Sequence, residues 1–192
     1  MPLVFFIILL RDVGKMARLP GDLNKEQLLD QIIRVNHAGE YGAKRIYAGQ
    51  LDVLKDPEDQ KTIKHMAEQE DVHLEYFAQE MQKRRVRPSL FLPIWHALGY
   101  ALGAGTAALG KNAAMVCTEA VEEVIDEHYQ EQLREEGMPK DLAKNIEKFR
   151  QEELEHHEIA TSQMTNLNLG HKLLYETIKI GCKISIGLAK RF

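Results

Sequence analysis

The chain has 192 residues, 44% of them hydrophobic and 28% charged, with a formal net charge of −4. That length allows one domain with a sizeable core, and that balance excludes a disordered chain. The mild acidity argues against nucleic acid as a partner; two isolated cysteines, Cys117 and Cys182, exclude a disulfide framework, fit a reducing compartment and read as buried apolar thiols.

Residues 3–10 form an apolar run too short to cross a bilayer, followed by Arg11, Lys15 and Arg18. The start lacks the basic residues of a secretory signal, so residues 1–20 read as a targeting or disordered segment and 21–192 as the folded domain. Pro20-Gly21-Asp22 is a breaker followed by an N-cap candidate. Further breaks at Asp56-Pro57, Arg87-Pro88-Ser89, Gly110-Lys111-Asn112, Gly137-Met138-Pro139 and Asn168 to Gly170 predict six helices. Their ranges are about 22–54, 57–86, 91–109, 111–136, 139–167 and 170–190, an all-α chain.

Four of these helices carry apolar stripes at three- and four-residue steps. The first places Ile33, Asn36, Glu40, Ala43, Tyr47 and Leu51 on one face, and the second Ile63, Met66, Glu70, His73, Phe77 and Met81. The fourth aligns Met115, Thr118, Glu122, Ile125, Tyr129 and Leu133, and the fifth Leu142, Ile146, Phe149, Glu153, His156, Ala160 and Met164. Each stripe is interrupted near its middle by a glutamate or by Glu-x-x-His. An unpartnered carboxylate on a buried face is costly, but six polar groups at matching depth solve the problem together by binding cations. The i, i+3 step lets Glu and His reach the same ion. A single Glu-x-x-His usually marks a solvated face; two copies, each about thirty residues after a lone glutamate, form the ligand set of a di-metal centre in a four-helix bundle. Glu40, Glu70, His73, Glu122, Glu153 and His156 are therefore the candidate ligands, and mixed oxygen and imidazole donors suit iron or manganese better than zinc.

Tyr129, next to the site by periodicity, reads either as a hydrogen-bond or proton donor or as core packing. His37 is an orienting group or a structural hydrogen bond, while Glu119 and Asp126 are orienting partners or helix-face charges. Glu123, Glu152, Glu155 and His157 fall off the stripes, and His65 and His96 read as ordinary residues.

Residues 91–110 contain no charge, yet Pro93, His96 and four glycines make them a poor membrane span. Trp95 and Tyr100 suit a membrane–water boundary. In the last helix Lys172, Lys179, Lys183 and Lys190 share one face, a pattern attracted to an anionic membrane surface. Both segments read as membrane-facing, with simple covering of the bundle as the alternative.

The segments NHAGEYGAKRIYAGQ around Glu40, EQEDVHL around His73, CTEAVEEVIDEHY around Glu122 and FRQEELEHHE around His156 occur in order. Together they resemble the demethoxyubiquinone hydroxylase family of ubiquinone biosynthesis, from about Leu28 to the C-terminus. Asn36 stands where many members have Asp, and Glu119 where many have a small apolar residue; neither is a candidate ligand.

The resemblance implies a ferritin-like four-helix bundle with two additional membrane-facing helices, and a pair of iron ions on the same six residues. It implies a monooxygenase that hydroxylates a demethoxy polyprenyl benzoquinone with O2, NADH being the electron source. Implied partners are the polyprenyl quinone, a membrane surface, a lipid-binding protein of the same pathway and other pathway enzymes. The implied location is peripheral on the mitochondrial inner membrane, matrix side, or on the bacterial cytoplasmic membrane. No Gly-rich dinucleotide fingerprint is present. The alternatives are another ferritin-like iron or peroxide protein, or a non-catalytic membrane scaffold of the quinone-synthesis complex.

Overall fold

The structure, a computed structural model, describes residues 23–192. The expectations for residues 1–20 fall outside the described residues. Six α-helices and no strands are found among those described: α1 Lys25–Val53, α2 Pro57–Arg84, α3 Leu92–Ala108, α4 Lys111–Leu133, α5 Lys140–Ser162 and α6 Leu169–Arg191.

The punctuation follows local chemistry. Asn24 caps α1 and exchanges hydrogen bonds with Gln27 in a capping box. Asp56 accepts from Glu58 and Asp59 at the start of α2, with Pro57 at the first helical position. Gly110, at φ 110°, turns the chain between α3 and α4 in a conformation that disfavours side chains. The fifth helix stops earlier than the expected residue 167. There Asn112 ties the loop by donating to the Thr165 carbonyl at 2.6 Å and accepting from its N–H.

Helices α1 and α2 form one hairpin and α4 and α5 the other; together they make a ferritin-like four-helix bundle. The two larger apolar clusters of the core lie one around Ile33, Phe77, Ile146 and Phe149 and one around Tyr47, Ile63, Met66 and Met115. Between them lies the polar belt described below.

The other two helices lie outside the bundle. Helix α3 connects the hairpins and packs along α1 with its backbone unusually close. A β-carbon on Gly99 would stand 2.9 Å from the Gly42 carbonyl oxygen, and one on Gly103 would collide with that of Ile46. The glycines at 99 and 103 thus serve close packing rather than leaving space. Helix α6 covers α4 and α1, and its C-terminal end is held where Gln31 donates to the Lys190 carbonyl and Arg34 to that of Ala189.

The lysine face of α6 differs from the expectation. Lys179 donates to Glu123 at 2.8 Å and Lys183 pairs with Glu127 at 2.9 Å, so both turn toward α4. The outward face carries Leu173, Ile180 and Ile184, each more than half exposed. Next to it α3 exposes Ile94 and Leu98. None of the described helices is long and apolar enough to cross a membrane.

Candidate metal centre and its cavity

All six sequence-predicted ligands converge. Glu40 comes from α1, Glu70 and His73 from α2, Glu122 from α4, and Glu153 and His156 from α5, each at most 1% exposed. They form two overlapping groups, Glu40, Glu70, His73 and Glu153, and Glu70, Glu122, Glu153 and His156; within each, one donor atom per residue lies within 4.8 Å of the others.

Glu70 and Glu153 belong to both groups and divide their oxygens between them. Glu153 turns Oε1 toward His73 Nδ1 at 3.1 Å and Oε2 toward His156 Nδ1 at 3.3 Å. Glu70 does likewise, at 3.9 Å through Oε2 and 3.4 Å through Oε1. A carboxylate that offers one oxygen to each of two neighbouring points has the geometry of a bridge.

The donor atoms fit a pair of cations. Both oxygens of Glu70 and Glu153, Oε2 of Glu40 and of Glu122, and both imidazole Nδ1 atoms are buried without a hydrogen-bond partner. Native interiors rarely leave so many polar atoms unpaired in one place. The outer ring nitrogens, by contrast, are engaged: His73 Nε2 lies 2.8 Å from Glu152 Oε2 and His156 Nε2 2.9 Å from Gln69 Oε1. Carrying the proton on Nε2 leaves each Nδ1 lone pair free for a metal.

Electrostatics point the same way. Burial, then the neighbouring glutamates, pushes Glu70 and Glu122 well above the carboxylate range. Burial works against charge on His73 too, but Glu153 and Glu40 overcome it and raise that imidazole to about 11. Burial would also raise Glu153, yet His156 and His73 hold it below its ordinary value. Burial and mutual repulsion thus work against negative charge on Glu70 and Glu122, a conflict that two divalent ions remove.

Two tyrosines touch the belt from either side. Tyr47 donates to Glu122 Oε1 at 2.5 Å, and Tyr129 donates to Glu40 Oε1. Burial and the adjacent carboxylates push both phenols well above 10, so they remain neutral donors. The periodicity placed Tyr129 correctly beside the site and gave Tyr47 no role beyond its stripe.

Other candidates lie elsewhere. Asp126 pairs with Arg150 at 2.7 Å and Glu119 faces His157 at 4.0 Å, so both are helix-face charges. Glu152, which its off-stripe position had set aside, is the partner of His73, and Gln69 plays that part for His156. Each immediately precedes the glutamate of a Glu-x-x-His motif, so a wider repeat, Gln/Glu-Glu-x-x-His, was the available signal.

A cavity of about 560 Å³ opens beside the belt, walled by α1, α3, α4 and α6. Val35, Ile46, Trp95, Leu98, Val124 and Ile186 make it largely apolar, and Glu40 and Tyr129 line it as well. Gly39 and Gly42 of α1 also line it, and a β-carbon at either would meet nothing within 4 Å.

The fold and the paired cluster define a class: helical bundles that bury two Glu-x-x-His motifs and two further glutamates around a common centre. Within it the chain belongs to the family described as ubiquinone biosynthesis protein COQ7, whose family model matches residues 27–189. It is 49% identical over 168 residues to a human protein named NADPH-dependent 3-demethoxyubiquinone 3-hydroxylase, mitochondrial, covering 85% of this chain and 77% of that one. A Rhodospirillum rubrum protein named 3-demethoxyubiquinol 3-hydroxylase is 45% identical over 178 residues, 91% of this chain and 83% of its own. A Saccharomyces cerevisiae protein named 5-demethoxyubiquinone hydroxylase, mitochondrial, is 41% identical over 181 residues, covering 85% and 78%.

Proposed function

We propose that this chain is a monooxygenase of ubiquinone biosynthesis that hydroxylates the ring of a demethoxyubiquinone with O2. The observation that carries the reading is the cavity: a largely apolar space of about 560 Å³ shares Glu40 with the buried carboxylate–histidine cluster. An isoprenoid quinone needs an apolar enclosure that ends at the oxidising centre. The names of the relatives agree with that substrate.

Glu40 and His73 would hold one iron ion and Glu122 and His156 the other, with Glu70 and Glu153 available to both. Iron held there would supply the oxygen-activating redox chemistry that such a hydroxylation requires. The chain's own residues prepare that chemistry. Glu152 and Gln69 fix the two imidazoles, Tyr47 and Tyr129 hold Glu122 and Glu40, and the apolar walls exclude bulk water from the ring. Tyr129 lines the cavity and is the hydroxyl placed to pass a proton between Glu40 and the substrate side. A reduced nicotinamide is the electron source. The family resemblance implies NADH, whereas the names of several relatives specify NADPH.

The exposed apolar faces of α3 and α6 support peripheral docking on a membrane. Leu98 lines the cavity and is 57% exposed, which puts the cavity rim on that face. The names of several relatives include the word mitochondrial, and the docking surface proposed is the mitochondrial inner membrane or, in bacteria, the cytoplasmic membrane; the same face suits a lipid-binding partner protein. A storage or peroxide-reducing protein would need the cluster but not the cavity.

The test supplies Fe(II)-loaded protein with a short-tailed demethoxyubiquinone, NADPH and heavy-isotope oxygen gas. The expected result is a hydroxylated quinone carrying the heavy atom, absent for Glu122→Ala. Iron binding and nicotinamide oxidation without labelled quinone would overturn the reading. Full product formation by Glu122→Ala would exclude the proposed ligand set.

A further inference from the structure

Polar side chains are few in the cavity, and most of their donors are already engaged. Thr177 and Ser185 donate to the Leu173 and Gly181 carbonyls of their own helix, and Tyr129 donates to Glu40. Asn36, His128, the Trp95 indole and the Cys182 thiol remain, none of them a member of the metal-binding cluster, and of these Asn36 and His128 are held in place by hydrogen bonds.

Both belong to one buried hydrogen-bonded chain with Gln132. Asn36 Nδ2 donates to Gln132 Oε1 at 2.9 Å, and Gln132 Nε2 donates back to Asn36 Oδ1 at 2.6 Å. The same Gln132 amide lies 2.7 Å from His128 Nε2. Asn36 is 3% and Gln132 4% exposed, and the chain joins α1 to α4. With Gln132 donating to Nε2, a neutral His128 carries its proton on Nδ1. Among the described residues no group hydrogen-bonds that atom; the Glu131 carboxylate stands 4.0 Å away. Burying two amides beside a part-buried imidazole is costly unless the groups are matched to one another, and the one ring donor left over stands on a residue of the cavity wall, where an acceptor on a bound ligand can meet it.

We propose that Gln132 and Asn36 are positioning residues that hold His128 as a neutral Nδ1–H donor for an oxygen of the quinone ring. The inference rests on the quinone hydroxylase reading and adds to it how an apolar cavity senses the ring's orientation. Carbonyl and methoxy oxygens are the only strong acceptors on such a ligand, so one fixed donor distinguishes a correctly turned ring from a flipped one. If both amides were turned over, the proton would move to Nε2 and the donor would be withdrawn, so the tautomer itself is measurable.

Two substitutions separate the possibilities. Gln132→Glu replaces the amide donor by a carboxylate that pulls the imidazole proton onto Nε2, and Gln132→Leu removes the contact at similar volume. Trp95, the single tryptophan, lines the cavity and reports binding by fluorescence quenching without turnover. The probes are a short-tailed demethoxyubiquinone and an alkylbenzene of equal tail length, added to purified full-length protein. Nitrogen-15 NMR of the wild-type imidazole should show the Nδ1–H form. Both variants should weaken the quinone about tenfold, the worth of one such hydrogen bond, and leave the alkylbenzene unchanged. An Nε2–H tautomer, unchanged quinone affinity in both variants, or equal loss of the two probes would each overturn the proposal. Wild-type protein that binds neither probe would instead overturn the cavity's assignment to a quinone.

Discussion

Glu152 Oε2 stands 2.8 Å from Nε2 of His73, while the equivalent nitrogen of His156 meets a neutral amide oxygen of Gln69 at 2.9 Å. The two halves of the cluster are thus alike in their inner donors and different in what stands behind them. A carboxylate makes an imidazole a stronger metal ligand than an amide does. The His73 side should fill first in an Fe(II) or Mn(II) titration. Glu152→Ala should weaken that site by about 10- to 100-fold, and Gln69→Ala should affect the second site less. Stepwise calorimetry reads both, and identical losses would contradict the asymmetry.

Chelation should lower stability sharply. Four carboxylates at most 1% exposed crowd one centre, so cations that bind only the folded chain add stability by mass action. At a metal concentration a thousand times the dissociation constant that amounts to ~4 kcal/mol, or a shift of about 10 °C for a domain of this size. Scanning calorimetry with and without a chelator measures it.

His128 makes stability fall in mild acid. Burial, helped by Lys190, lowers its imidazole from 6.5 to about 4, and the exposed Glu131 does not offset this. Because the folded value lies below the unfolded one, the unfolded chain binds the extra proton first. The contribution is complete above pH 6.5 and is lost as pH falls from 6.5 to about 4. Its size is at most roughly 3 kcal/mol. Urea unfolding across that range should show a steeper decline for the wild type than for His128→Phe.

Backbone contact between α1 and α3 gives opposite expectations for two glycines in one helix. Gly103→Ala should cost about 2 kcal/mol, because the new carbon meets the Ile46 carbonyl. Gly105→Ala meets nothing within 4 Å and should stabilise by roughly 0.5–1 kcal/mol. Chemical denaturation of the two variants decides it, and equal effects would show that the close approach carries no energy.

The bundle and its six inner groups were legible because a helix repeats every three or four residues, so a glutamate in an apolar stripe stands out. Glu152 and Gln69 were not, because a side chain one position off the stripe can still reach across to the next helix, and one-dimensional spacing holds no record of that neighbour. The lysines of α6 were misplaced for a related reason: Glu123 and Glu127 lie too far away in the chain for their pairing with Lys179 and Lys183 to be foreseen. The close approach at Gly99 and Gly103 was likewise hidden, because it depends on α1 carbonyls distant in sequence.

Helices α3 and α6 supply none of the six cluster residues, yet they build much of the cavity wall. Inheritance can therefore act on the two separately. Substitutions in α3 and α6 can retune the enclosure to a longer or shorter isoprenoid while α2 and α5, which hold both motifs, stay unchanged. On the quinone reading, lineages that differ in tail should diverge mainly along the outer pair, leaving α2 and α5 as the slowly changing part of the gene.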